Sequence, residues 1–414
     1  MRQIKQTVRR WIGAGLGVLL FTQLAGCEKA VEPAASDEMA AYAHTLGLTA
    51  AQRQEDFSVF ERELREGYPC WGLLEREGVD YEAIFDEYRE MVAQNDSDFS
   101  LLSAVYSAIW RLGGEGHLQM IEPDQYEDFQ SGYEGDETRV LWHETVNNPV
   151  SRENYPKMLE MWEEDSGTQG SEETAETPNN VTTLIIEEGK IAYLKIDSFY
   201  GTYEADRERV SAFLDEVRGY EHLIVDITQN SGGSDKYWMD LLAAPLANEK
   251  LSGTNYALVR SNETIAEYLQ NEYPGDELHP IDGLPKLPKL EARDRELATH
   301  YVENTLTVEP TGDGFGGKLW LLVGERVYSA AEAFTVFCKD TGFATIVGTP
   351  TGGDGIGIDP VIFALPNSGI LVRYSALFGL NADGTSNEEY GTLPDIQSPE
   401  GESVLVTALR VIRG

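Results

Sequence analysis

Three short segments of the chain hold residue types that could carry out acyl chemistry together. The first is KLWLLVGERVYSAAEAFTVFCKDTG, beginning at Lys318. An apolar strand ends near Val323, and Ser329 falls where a helix begins. A hydroxyl there faces free backbone N–H groups and the positive end of the helix dipole, which could stabilise an oxyanion formed on a carbonyl. Ser329 and Glu332 also spell Ser-x-x-Glu, so a plain capping box is the competing reading. The second segment, LIVDITQNSGGS, runs from Leu223 to Ser234. Adjacent Gly232 and Gly233 at a strand end let the backbone turn sharply and present its N–H groups closely. The third, RLGGEGHLQMI, places His117 in a glycine-rich loop after a helical stretch. That setting suits a positioned base better than a core histidine.

Other chemistry lacks support. The chain contains no GxxxxGK[ST], HExxH or GxSxG. One GxGxxG, Gly312 to Gly317, leads into an apolar strand, so it lacks the helix N-terminus that would hold a pyrophosphate and reads as a turn. The six histidines are scattered without ligand spacing, so no metal site and no cofactor is expected.

The elements around these segments change in character along the chain. Phe57, Phe60, Leu64 and Tyr68 recur at helical spacing, as do Ala83, Phe85, Tyr88 and Met91, then Leu101, Leu102, Val105, Ile109 and Leu112. About three helices therefore form a small subdomain over residues 49–120. Residues 121–180 are acidic and polar and read as an insertion or linker, its stretch 164–180 too poor in apolar residues to order itself. From Val181 to the end, short apolar runs alternate with helical patterns, the signature of an α/β core.

The first 26 residues form an address. Arg2, Lys5, Arg9 and Arg10 precede an apolar run from Trp11 to Phe21 that is short for a membrane span. Leu24-Ala25-Gly26-Cys27 resembles a bacterial lipobox, in which Cys27 would be lipidated and become the first residue of the mature chain. Residues 27–48 then serve as a tether. This places the protein outside the cytoplasm, at a bacterial cell surface or in the periplasm, held to the membrane by lipid alone. Lys and Arg total 32 against 71 Asp and Glu, a net charge of −39. Loss of residues 1–26 removes four basic residues and no acidic ones, taking the charge to −43. Such a surface excludes a nucleic-acid partner, which needs a basic face. Cys70 and Cys338 could pair in an oxidising compartment or remain two buried thiols.

Taken together, the segments resemble the C-terminal-processing (tail-specific) serine peptidase family, in its tricorn-core-like branch. Gly189 to Phe199 is similar to that family's G-x-I-x-Y-x-x-I-x-x-F strand, and Leu223 to Gly233 to its LIVDLRxNxGG strand and turn. Val327 to Glu332 resembles the nucleophile segment, Ala344 to Thr349 the strand after it, and Glu388 to Ile396 the E-x-x-G-x-x-P-D-I segment. The likeness extends from about Phe57 to the end of the chain. It implies an α/β fold, a ClpP/crotonase-like peptidase core over 181–414 preceded by the helical subdomain. It also implies Ser329 as nucleophile, with an oxyanion hole from the N–H groups of Ala330 and of Gly232 or Gly233.

The base separates the family's branches. One branch uses a lysine on the strand after the nucleophile helix; here no lysine follows Lys339, and that region, IVGTPTGGDGIGIDP, offers the acidic Asp354, which cannot do an amine's work. The other branch uses a histidine and a glutamate, which correspond here to His117 and Glu388, with Glu389 one register away. Some members of that branch carry a serine just before the histidine; here Gly116 stands there, leaving no extra polar partner in view. No peptide-binding PDZ module is visible. The expected function is an extracytoplasmic serine endopeptidase acting on peptides or protein tails. A catalytically silent peptide- or ligand-binding lipoprotein on the same fold, or an esterase, are the alternatives.

Overall fold

The computed structural model describes residues 46–166, 179–201, 203–273 and 277–414. The expected signal, Cys27 and almost all of the tether lie outside them.

Four helices open the described chain: α1 (Ala50–Gly67), α2 (Trp71–Glu77), α3 (Tyr81–Gln94) and α4 (Asp98–Leu112). A capping box between Thr49 and Gln52 starts α1, and Phe57, Phe60 and Leu64 point its apolar face inward. The short α2, which periodicity missed, buries Trp71, Leu73 and Leu74. Left-handed Gly113 ends α4, and the chain turns through Gly114 and Gly116 to His117 and the two-residue β1 (Gln119–Met120).

Residues 121–166 differ from the expected linker. They form α5 (Tyr126–Gly132), α6 (Val140–Val146) and α7 (Pro149–Ser166). Trp142, Val146, Tyr155 and Met158 are fully or almost fully buried. A few large side chains, thinly spread among carboxylates, are enough to anchor this segment, and composition averages hid them. Of the expected linker 164–180, residues 167–178 lie outside the described residues.

The α/β core follows: β2 (Val181–Glu187), β3 (Ile191–Ile196), α8 (Tyr203–Val217), β4 (His222–Asp226), a helical stretch over 235–246, β5 (Leu251–Val259), α9 (Glu263–Glu272), β6 (Leu278–Pro280), α10 (Ala292–Leu297), β7 (His300–Val308), β8 (Lys318–Val323), α11 (Ala330–Thr341), β9 (Thr345–Gly348), β10 (Val361–Ala364), β11 (Leu371–Tyr374), β12 (Leu377–Leu380), α12 (Asn387–Tyr390), β13 (Ile396–Gln397) and α13 (Val404–Arg413). The main sheet has the order β13-β9-β8-β4-β3-β2, parallel except for β2 at the edge. Helices cover both faces: α8 and α11 pack on one, α13 on the other. That two-sided burial explains the near-continuous apolar runs of β4 and β8. Two antiparallel sheets, β12-β5-β7-β6 and β1-β11-β10, share one apolar cluster with α1–α7. The helical subdomain and the insertion are thus packed onto strands of the core segment. Through β1 paired with β11, His117 is carried to the carboxyl-end loops of the main sheet.

Candidate active site

Ser329 sits between β8 and α11, at φ 54° and ψ −129°. This is a costly conformation for a residue with a Cβ. Its N–H donates to the carbonyl of Gly353 at 3.2 Å, and its own carbonyl accepts from Ala333 at 2.8 Å. Its side chain caps nothing, so the capping-box reading fails. Glu332 is instead buried and accepts from Asn387 and Thr392, at 2.8 and 2.7 Å.

The glycine turn lies against this serine. A Cβ on Gly232 would fall 2.9 Å from Ser329 Cβ and 2.8 Å from the Tyr328 carbonyl oxygen. A Cβ on Gly233 would fall 2.2 Å from the carbonyl carbon of Phe199. Both glycines also lie at positive φ. Their roles differ. The Gly232 N–H donates to Asn230 Oδ1 at 2.9 Å, which corrects its placing as an oxyanion donor. Gly233 is exposed, and Ala330 opens α11, where an N–H has no intrahelical acceptor.

His117 also lies at positive φ, 53°. Its backbone N–H donates to the Tyr328 hydroxyl at 3.3 Å, and the two rings lie 4.8 Å apart. Ser329 is the next residue along. The imidazole Nδ1 is 2.5 Å from Asp354 Oδ2, with Ser375 Oγ 3.2 Å away. Ser375 Oγ and the Tyr328 hydroxyl both donate to the same Asp354 oxygen, at 2.8 and 3.2 Å. Burial pushes the Asp354 carboxyl up. The His117 charge and the bonds from His117, Ser375 and Tyr328 outweigh that, so it is held below the ordinary carboxylate range.

The expected Glu388 is therefore corrected: the carboxylate on His117 Nδ1 belongs to Asp354. Glu388 is buried, with Oε2 3.5 Å from the Tyr328 hydroxyl, and its main chain backs onto Gly353, where a Cβ would sit 3.1 Å from Glu388 Cα. Glu389 pairs with Arg76 at 2.8 Å. Asp354 is the acidic residue met in place of a lysine; the residue type that disqualified it as an amine suits it to orient an imidazole. Ser375, just after β11, gave no signal in the sequence. It supplies the polar partner missing at Gly116, whose carbonyl accepts from Ser375 N–H at 2.6 Å. Lys339 lies at the far end of α11, bonded to Asp395. Cys70 and Cys338 are both buried free thiols.

A parallel sheet flanked by helices, with a strained serine heading a helix beside a histidine–carboxylate pair, defines the class: an α/β protein with a site built like that of a serine hydrolase. The family model described as Peptidase family S41 matches residues 190–398, half of the chain. The chain belongs to peptidase family S41 and is a serine-type peptidase. No curated protein matches it. Among solved structures, a peptidase-like protein from Parabacteroides merdae is similar at 17% identity and TM-score 0.54, over 87% of this chain and 97% of that one. Mature CPAF is similar at 13% identity and TM-score 0.50, over 84% and 92%. The photosystem II D1 C-terminal processing protease aligns at 13% identity and TM-score 0.46, over 89% and 98%.

Proposed function

We propose that the chain is an endopeptidase of peptides or protein tails that works through an acyl-enzyme on Ser329, with His117 as base and Asp354 orienting it. One observation carries this reading. Among the described residues, the non-glycine positions at positive φ are His117, Ser329 and Asp354. Backbone strain of this kind persists only where surrounding structure enforces it, and it gathers at functional sites. A carboxylate on Nδ1 keeps the proton there and leaves Nε2 to act as base.

Ser329 Oγ attacks the scissile carbonyl carbon while its proton passes to His117 Nε2. The oxyanion rests on the N–H groups of Gly233 and Ala330. Collapse breaks the C–N bond, and Nε2 returns its proton to the leaving amine. Water, deprotonated by the same nitrogen, then hydrolyses the ester and restores Ser329. Ser375 and Tyr328 hold Asp354 in place. The lipobox at Leu24 to Cys27 supports a lipid-anchored, extracytoplasmic location.

A fluorophosphonate probe tests the nucleophile. It should label the wild type at Ser329 and leave Ser329→Ala unlabelled, with peptide hydrolysis lost in that variant. Hydrolysis by a folded Ser329→Ala at the wild-type rate would overturn the reading. Labelling with palmitate in a bacterial host, present in the wild type and absent in Cys27→Ser, tests the anchor.

A further inference from the structure

Arg373 stands out in a chain so rich in acid. It lies on β11, opposite Gln119 of β1 and two residues before Ser375. Residues two apart on an extended chain share a face, so Arg373 is carried on the side from which Ser375 reaches His117 and Asp354, roughly 7 Å along the strand. Its guanidinium carbon sits 5.3 Å from the centre of the Phe129 ring, on α5 of the insertion. Its Nε is buried and bonded to nothing among the described residues, and no carboxylate among them pairs with it. Nearby Arg139 differs: it is neutralised by Glu272 at 2.7 Å and Asp359 at 3.1 Å.

The charges of Asp128 and Arg373 act in opposite directions on the Tyr200 hydroxyl, as do those of Asp359 and Arg373 on that of Tyr133. Tyr200 is 61% exposed and follows Phe199, the residue bridged to Gly233 of the glycine turn. The guanidinium is thus held against the insertion, on the strand that leads to Ser375. A guanidinium on an aromatic face, with its Nε unpartnered among the described residues, still presents an N–H fork to a planar anion.

We propose that Arg373 is a specificity residue that binds a carboxylate of the peptide substrate, either its C-terminal carboxylate or an acidic side chain. The proposal rests on the peptidase reading above. The insertion then has a role, since Phe129 supports the guanidinium.

The test uses one peptide core in three forms: C-terminal acid, C-terminal amide, and amide with an added glutamate. The wild type should cleave at least one carboxylate form with kcat/KM about 10- to 100-fold above the neutral amide, chiefly through KM, as a charge-assisted bond predicts. The form preferred distinguishes tail from side chain. In Arg373→Gln that ratio should fall to about one, while Arg373→Lys keeps part of it, lacking the bidentate fork. Fluorophosphonate labelling of Ser329 in each variant reports that the peptidase site is intact. A wild type indifferent to the carboxylate, or an Arg373→Gln enzyme that still labels and keeps the preference, overturns the proposal. Failure of the wild type to label would instead overturn the peptidase reading.

Discussion

His117 and Asp354, 237 positions apart in the chain, meet through Nδ1 and Oδ2 at 2.5 Å. The Asp354 side chain is largely enclosed by protein, and its charge is held by three donors. Asp354→Asn should keep the packing but free the imidazole to adopt the wrong tautomer. The expected loss is about 1,000- to 10,000-fold in kcat/KM. Glu388→Gln should cost less than about tenfold, because that carboxylate does not hold Nδ1. Steady-state kinetics of the two variants, with thermal melts to confirm folding, decide between them. A loss in Glu388→Gln as large as in Asp354→Asn would restore the glutamate to the role expected from the sequence.

Asp354 also sets a stability limit. Its folded pKa lies below its unfolded one, so its contribution is present above the unfolded pKa and is lost as pH falls through the folded value. Asp354→Asn should narrow the gap in melting temperature between neutral pH and about pH 3. Parallel melts of wild type and variant would measure it, and an unchanged gap would show that the pairing adds nothing to stability.

Gly232 makes a separate prediction. A methyl there would press on the Tyr328 carbonyl and Ser329 Cβ, at 2.8 and 2.9 Å, from a backbone at φ 111°. Gly232→Ala should displace Ser329 and abolish both turnover and probe labelling, and lower stability by about 1–3 kcal/mol. Gly189→Ala serves as the control, because that turn glycine at φ 71° has open space around its Cβ position. It should lose some stability and keep its labelling. Normal labelling in Gly232→Ala would separate the glycine turn from the nucleophile.

The parts of this site that were legible in the sequence are those with local signatures. The apolar run before Asp226, the paired glycines and the serine at a helix start can each be seen within a dozen residues. Asp354 was visible too, but as an obstacle, since only the fold reveals that its loop returns to His117. Ser375 was not visible. It follows a strand whose pairing with β1 joins residues more than 250 positions apart, Gln119 with Arg373 and Met120 with Val372. Likewise Trp142 and Tyr155 anchor the insertion from within an acidic stretch, where no periodicity marks them. Long-range pairing and isolated anchors leave little trace in windowed patterns.

Glu122, between β1 and α5, gives a prediction with a definite sign. Burial first, and then the charge of Asp124, push its carboxyl from 4.5 up to about 7. The folded state therefore holds the Glu122 proton more tightly than the unfolded chain does. Its favourable contribution is complete below the unfolded value and is lost as pH rises through about 7. Glu122→Gln mimics the protonated acid at every pH. It should stabilise the protein by about 1–3 kcal/mol above pH 8 or so, and by almost nothing below about pH 4. Urea titrations of wild type and variant across that range would trace the difference. An advantage that grew toward low pH would mean that the carboxylate is held by a donor in the folded state, and would reverse the assignment.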